Sequence, residues 1–302
     1  MSDINEVENI IPPLYTLYNQ KSINEVILLK DGRIIIFTED YITIYNKNNL
    51  NIIDVKKENK NGILGKLEIK DDIIIDSFFN IIKIIGNNIE LRLNSDKFKE
   101  NRRVFLLPNG LIAATSVCNW VEFFEYKENE EKIKPKDIIN ANINDIIDIC
   151  GINENKIIVY GGPTFSERYL KLFNINNKQL ILIIKHQPNI CSIPILINKK
   201  FLIIGNKGKF DIFNIKSLSF YKSVDYGYRY ILVTFLKFND NTMIGGDNVG
   251  NIYIFNMEKE SFNLKNIFKA HEDLILHIFK YNNNKIITAG REGTIKVFEI
   301  NI

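Results

Sequence analysis

Short runs rich in Ile, Val, Phe and Tyr recur along the whole chain, separated by turns of Asn, Asp, Gly and Lys. This is the pattern of strands joined by tight turns. No long segment places apolar residues at helical spacing, so the pattern predicts an all-β chain without a helix of consequence.

The runs repeat as a unit. The last one reads Lys285-Ile-Ile-Thr-Ala-Gly-Arg-Glu-Gly-Thr-Ile-Lys-Val-Phe-Glu299. One strand leads into a turn at Arg291-Glu292-Gly293, and a second strand ends in an aromatic and a polar residue. The same figure appears at 242–256, 201–214, 156–174, 111–125 and 33–46. An aromatic thus falls at one register in Tyr45, Phe124, Phe173, Phe213, Phe255 and Phe298, and a degraded copy over 72–86 fits with Ile85 in that place. The interval is about 40 to 50 residues, the period of propeller blades with four strands each. One small twisted sheet cannot cover its own apolar faces and must stack on neighbours around an axis. Small residues close the second strand of most copies: Ala113-Ala114, Gly161-Gly162, Gly205, Gly245-Gly246 and Ala289-Gly290. They suit a place where backbones converge, although a glycine there also simply ends a strand.

The ends supply a second argument. Only Ile300, Asn301 and Ile302 follow the last copy, too few for another strand, while Leu14 to Tyr18 is a strand-like segment with no partner assigned. An N-terminal strand completing the last blade would remove a free edge. Pro12 and Pro13 would sit just outside the ladder, where no amide donor is required. The expected architecture is a single domain over residues 1–302, a seven-bladed β-propeller of four-stranded antiparallel sheets. Six or eight blades stay open, because the copy near 72–93 is poorly marked.

The segment Thr288-Ala-Gly-Arg-Glu-Gly-Thr-Ile-Lys-Val-Phe-Glu299 resembles the core of a WD40 repeat, with Phe-Glu in place of Trp-Asp, and Ala270-His271 resembles that family's Gly-His dipeptide. The resemblance implies a WD40-type protein-binding scaffold. In that family His, Asp, Ser/Thr and Trp form a hydrogen-bonded network in each blade. Here His271, Thr288 and Glu292 match, whereas Phe298 lacks the indole donor, so the blades must lean on apolar packing. Two sub-patterns of the family fail. Arg102-Arg103 is followed by Val104, not by the glycine of phosphoinositide-binding propellers. No arginine stands two residues after the aromatic-polar pairs, as it does in propellers that recruit ubiquitin ligases.

Charge and composition narrow the partners. Lys and Arg total 39 against 36 Asp and Glu, and the net charge of +3 is too weak to argue for nucleic acid or an anionic membrane surface. Every apolar run falls short of the roughly 18 residues of a spanning helix, so no membrane insertion is expected. The opening Met1-Ser2-Asp3-Ile4-Asn5-Glu6 is acidic and polar, unlike a secretory signal. Cys118, Cys150 and Cys191 are odd in number and lack metal-type spacing, which points to a reducing cytoplasmic or nuclear setting.

Catalytic signals are thin. The chain has no nucleophile elbow, Walker loop or dinucleotide fingerprint. His271 and His277 lie six residues apart across a turn and a strand, not four apart on a helix. The pairs Asp71-Asp72, Glu130-Glu131 and Glu272-Asp273 read as solvated turns. No catalytic residue, cofactor or metal ligand is expected. A propeller hydrolase with acids or a metal in the central channel stays open as the alternative.

Recognition is expected on the face built by the turns within strand pairs and by the connections between blades, where loops vary over rigid sheets. Aromatic and arginine side chains are the usual anchors of an interface. The connection Asp225-Tyr226-Gly-Tyr228-Arg229-Tyr230 concentrates both. It fits a protein partner whose acidic group would pair with Arg229, unless Tyr228 and Tyr230 point inward and begin the next strand. Trp120, Phe165, Arg168 and Arg291 are further candidates. Phe165 and Arg168 fall in an insert at 162–168 that lengthens one turn, either into a raised lip on the rim or as a merely tolerated insertion.

Overall fold

Continuous apolar runs such as Ile34 to Phe37 and Leu202 to Ile204 belong to strands covered on both faces, and their burial shows this directly: all of Ile34–Thr38 and Phe201–Asn206 is buried. The computed structural model describes residues 11–301 except 19–21, 30, 39, 47–50, 58–66, 71, 76–80, 86–87, 93–102, 116–118, 128, 130–131, 165–166, 187–193, 198–199, 218, 228 and 259–260. The chain forms seven four-stranded antiparallel sheets, the blades of a β-propeller. No helix among the described residues is long and apolar enough to cross a membrane. The blades divide between two compact units.

One unit is Asn24–Gln187 and holds four blades. Blade 1 is β2 (Ile23–Leu28), β3 (Ile34–Thr38), β4 (Tyr41–Tyr45) and β5 (Ile52–Lys57). Blade 2 is β6 (Leu67–Lys70), β7 (Ile73–Ile75), β8 (Ile81–Ile85) and β9 (Asn88–Arg92). Blade 3 is β10 (Arg103–Leu106), β11 (Ile112–Thr115), β12 (Trp120–Lys127) and β13 (Lys132–Asn140). Blade 4 is β14 (Ile146–Asn153), β15 (Lys156–Thr164), β16 (Glu167–Asn174) and β17 (Leu180–His186). The core of this unit runs from blade to blade. Ile35, Phe37 and Ile44 pack with Ile74, Ile82 and Ile84. Ile75 packs with Ile112 and Phe124, and Phe123 with Ile146 and Val159.

The other unit joins Met1–Ile23 to Pro188–Ile302 and holds three blades. Blade 5 is β18 (Ile195–Ile197), β19 (Phe201–Asn206), β20 (Lys209–Asn214) and β21 (Ser219–Asp225). Blade 6 is β22 (Leu232–Lys237), β23 (Thr242–Asp247), β24 (Asn251–Glu258) and β25 (Ser261–Lys269). Blade 7 is β26 (Ile275–Lys280), β27 (Lys285–Gly290) and β28 (Thr294–Glu299), and its fourth strand is β1 (Tyr15–Tyr18). Tyr15 to Tyr18 pair antiparallel with Val297 to Thr294, and the Leu14 amide donates to the Val297 carbonyl at 2.7 Å. The closure expected for this segment is therefore present, with the two prolines just ahead of the ladder.

The six recurring aromatics are all buried. In five blades a register shift between the third and fourth strands falls immediately before the aromatic, at Ile44/Tyr45, Phe123/Phe124, Leu172/Phe173, Ile212/Phe213 and Ile254/Phe255. The extra residue lies on the fourth strand each time, at 53, 136, 181, 221 and 265, and such a bulge bends that strand beside the aromatic. Blade 2 departs from the expected register. Ile85 is 52% exposed, and Ile84, at 4%, is the residue packed into the core. A one-residue slip moves a strand side chain to the opposite face, and the isoleucine run around Lys83 carries no aromatic to mark the register.

The innermost strand of blade 4 buries an acid. Asp148 accepts a hydrogen bond from the Ile149 amide at 2.8 Å. Burial pushes its carboxyl up to about 7, against the opposing pull of that bond and of Arg103. A carboxyl that keeps its proton longer in the folded than in the unfolded state makes stability fall as pH rises from about 4 to about 7. Asp148→Asn removes that cost. In urea titrations it is expected to stabilise the protein by on the order of 1–3 kcal/mol at pH 8 and by almost nothing at pH 4. An equal effect at both pH values would contradict the assignment.

Candidate functional site

Successive antiparallel strands reverse direction, so the turn between a blade's second and third strands leaves from the same end as the connection to the next blade. In the three-bladed unit that end carries residues 207–208, 226–227, 229–231, 248–250, 270–274 and 291–293. Backbone hydrogen bonds join these segments in series. The Tyr226 amide donates to Gly208 O at 3.2 Å and the Gly208 amide to Tyr230 O at 3.1 Å. The Asn248 amide donates to Ile231 O at 3.1 Å, and the Ile231 amide to Asn248 Oδ1 at 3.0 Å. Both Ala270 and His271 amides donate to Gly250 O at 2.9 Å, and the Arg291 amide donates to Leu274 O at 2.9 Å. Loops tied in this way lose little entropy on binding, the condition for a preorganised recognition surface.

Buried polar groups hold the same loops from beneath. In blade 6, Asp247 Oδ1 accepts from the Val249 and Asn251 amides at 3.0 and 2.7 Å. Its Oδ2 accepts from Asn251 Nδ2 at 2.7 Å and from the Tyr253 hydroxyl at 3.0 Å. Burial raises the carboxyl above the usual range despite these donors. In blade 7, His271 Nε2 lies 2.7 Å from Thr288 Oγ1, and Nδ1 lies 2.5 Å from Glu292 Oε1 and 2.9 Å from Thr294 Oγ1. The Thr294 hydroxyl also donates to Glu292. Burial pushes the imidazole pKa down and outweighs the pull of Glu292, so His271 is neutral and its Nδ1–H donates to the carboxylate. Burial pushes Glu292 up, but the His271 and Thr294 bonds outweigh it and hold the group below its ordinary value. The three residues expected to form this network do so, and Thr294 joins them.

The residues nominated for recognition fall into separate places. Arg229, Tyr230 and Arg291 are exposed on the tied loops, Tyr230 at 42%. Among the described residues neither guanidinium has an ion-pair partner. Tyr226 is corrected from a surface anchor to a buried pin, at 4% exposure. Its hydroxyl donates to Tyr230 O at 2.6 Å, and its ring meets Tyr253 at 5.2 Å and Phe210 at 6.3 Å. Burial raises its pKa. Arg168 is likewise corrected. It is 2% exposed and donates to Asp145 Oδ2 at 3.1 Å and to Gly162 O at 3.2 Å, holding the hairpin onto the connection between blades 3 and 4. The insert at 162–168 does not form a lip of loop. Its ends extend β15 and β16, with Thr164 opposite Glu167. Trp120 opens β12 in the four-bladed unit and is 39% exposed. Phe165, Tyr228, Cys118 and Cys191 lie outside the described residues. Burial pushes the Cys150 thiol up to about 12, which makes it a poor nucleophile. Among the described residues no three His, Cys, Asp or Glu side chains are grouped to hold a metal ion.

One recurring feature was missed in the sequence. Two residues before each of several core aromatics stands a polar residue bonded toward these ends: Lys171, Asp211, Tyr253 and Lys296. Lys171 Nζ donates to Ala141 O at 2.9 Å and Asn142 O at 2.7 Å, and Lys296 Nζ donates to Ala270 O at 2.7 Å. Both lysines thus cap the carbonyls of a blade-to-blade connection. Asp211 accepts from Asn206 Nδ2 at 3.1 Å and from the Ser223 hydroxyl. The spacing was legible once the aromatic register was known.

Comparisons with known proteins bear on the fold. No protein-family model matches the chain, and no curated protein matches it in sequence. Among solved structures, the chain is similar to one in a crystal structure of the mitotic checkpoint complex, with a TM-score of 0.76 at 9% identity over 100% of this chain and 96% of that one. It is also similar to the computationally designed Ika8 protein, with a TM-score of 0.67 at 12% identity over 94% and 98% of the two chains. At these identities the likeness shows a shared β-propeller architecture and selects no function.

Proposed function

We propose that this protein is a WD40-type, non-catalytic interaction scaffold. It binds an acidic segment of a protein partner across the loops that carry Arg229, Tyr230 and Arg291. The observation that supports this most is the series of backbone hydrogen bonds from Gly208 to Arg291, which presents on a stiff base one exposed tyrosine and two arginines that have no ion-pair partner among the described residues. A planar guanidinium recognises carboxylates in bidentate fashion, and Tyr and Arg are the residues that most often dominate an interface. The network at His271 supports the same reading, since its members are those of the WD40 repeat with Glu and Phe substituted. A reducing cytoplasmic or nuclear compartment accords with the cysteine pattern.

The test is affinity capture from a cell extract by the full-length protein, followed by titration of the captured partner against Arg229→Ala and Arg291→Ala. Each variant should fold as the parent does and bind roughly 10- to 100-fold more weakly, the range of an interface hot spot. Unchanged binding by the double variant would refute the assigned surface.

A further inference from the structure

A net charge of +3 hides an uneven distribution. Residues 195–225, which form blade 5, hold six lysines and no arginine against two aspartates, whereas blade 6, over 232–269, holds four residues of each sign. Of the two aspartates, Asp211 is buried and Asp225 closes β21 at the end of the tied loops. The opposite end of the blade is basic. There Lys200 and Lys216 are exposed on the turns that join β18 to β19 and β20 to β21. The Ile215 amide donates to Lys200 O at 2.8 Å, so the two turns are tied together. Asn214 Oδ1 accepts from the Lys216 and Ser217 amides at 2.9 and 3.3 Å. Beside these turns, at the bulge of β21, Phe220 and Tyr221 are 55 and 42% exposed. Phe213 meets the Phe220 ring edge-on at 5.8 Å, and Phe201 meets that of Tyr221 at 5.3 Å. Lys222 lays its ammonium over the Tyr221 ring, 5.5 Å from its centre.

We propose that this corner of blade 5 docks on an anionic lipid bilayer, with Phe220 and Tyr221 entering the headgroup region and Lys200, Lys216 and Lys222 meeting the negative charge around them. Exposed aromatics framed by lysines are the composition of an interfacial membrane contact. The rings sit at headgroup depth, and the lysine stems lie along apolar surface while their ammonium groups reach the anionic phosphates. Charge supplies most of the attraction. Each lysine near an anionic leaflet favours binding by about fivefold, and three together by roughly 100-fold. A bilayer fits this corner better than a nucleic-acid strand does. Strand binding uses free ring faces as stacking platforms for bases, and here Phe201 and Lys222 already pack against the Tyr221 ring. Because strands alternate direction along a blade, the two turns leave from the end opposite the tied loops. A protein seated on a bilayer in this way holds Arg229 and Arg291 on the far side, open to a partner. Lipid binding therefore stands or falls independently of the partner surface.

Vesicle flotation tests this on the full chain. Phosphatidylcholine vesicles with about 30% phosphatidylserine should carry the protein, and pure phosphatidylcholine vesicles should carry it roughly 100-fold less well. Raising the salt from about 0.1 to about 1 M should release most of the bound protein, because the screening length falls about threefold. Lys200→Glu combined with Lys216→Glu should weaken binding at least about 25-fold. Lys134→Glu combined with Lys136→Glu on β13 makes the same change in net charge elsewhere and should leave binding within about threefold. Phe220→Ser should cost about tenfold without altering the salt dependence. All five positions are exposed, so the variants should unfold at the temperature of the parent. A parent that stays off the anionic vesicles overturns the proposal, whether or not a labelled single strand of about 20 nucleotides binds through the same lysines. So does equal weakening by the two lysine pairs, which would reduce the attraction to net charge, and so does a Phe220→Ser protein that binds as the parent does.

Discussion

Gly250→Ala is expected to prevent the protein from accumulating in folded form, or to cost more than about 4 kcal/mol where it does fold. Gly250 has φ +97°, a conformation that L side chains rarely adopt. A Cβ there would lie 1.9 Å from the His271 carbonyl oxygen and 2.5 Å from its carbon. Backbone on the far side cannot rotate away as a side chain can. The same glycine's carbonyl accepts from the Ala270 and His271 amides, so any shift that relieves the clash breaks the tie between the blade 6 turn and the connection to blade 7. Gly290→Ala makes a useful contrast. Its Cβ would meet Glu292 Oε2 at 2.0 Å and His271 Nδ1 at 2.4 Å. These are side-chain atoms, so the clash is relieved by breaking the His271–Glu292–Thr294 bonds and not by moving backbone, and the loss should be smaller and local to that network. Urea titration of both variants measures the order. A Gly250→Ala protein within about 1 kcal/mol of the parent would show that the loops are not tied as described.

Phe255→Ala is expected to cost about 3–5 kcal/mol. The ring is fully buried. It meets Phe210 of blade 5 edge-on at 5.2 Å, Tyr226 of the intervening connection at 6.3 Å, and Tyr253 of its own strand at 6.3 Å in a stacked arrangement. Removing it opens a cavity between two blades at the point where Tyr226 pins the loop of Arg229 and Tyr230. Stability and partner binding should therefore fall together. Phe255→Leu keeps most of the volume and should lose less than about 1.5 kcal/mol with binding intact. Thermal denaturation and partner titration of the two variants separate the outcomes. A Phe255→Ala protein as stable as the parent would contradict the packing described.

Much of this architecture was legible because each copy carries its own punctuation. An aromatic closes the third strand in six of the seven copies, and the apolar run of the second strand is continuous because both of its faces are covered. The closure by Tyr15 to Tyr18 followed from a strand signal left without a partner at one end and a missing strand at the other. Blade 2 shows the limit. Ile81-Ile82-Lys83-Ile84-Ile85 has isoleucine on both sides of its lysine, and alternation then says little about which residue faces the core.

The candidate site was read less well, for a physical reason. Aromatic and arginine residues in a connection identify a dense segment but not the direction of each side chain. Tyr226 has the same composition signal as Tyr230, yet one ring fills the space between Phe210 and Tyr253 while the other is exposed. Arg168 was turned inward by Asp145, an acid 23 residues away in sequence that no local pattern connects to it. The polar row at Lys171, Asp211, Tyr253 and Lys296 was the better signal, because a polar residue at a fixed place inside an apolar strand must find a partner.

Amide hydrogen exchange of the peptide covering residues 14–18 tests the closed-propeller account most directly. If β1 completes blade 7 through the ladder to Val297, Lys296, Ile295 and Thr294, the alternate amides that bond β28 should exchange at least about 100-fold more slowly than in an unstructured chain and should be lost together with those of β28. Exchange of this peptide at the rate of an open chain, while β28 stays protected, would contradict it.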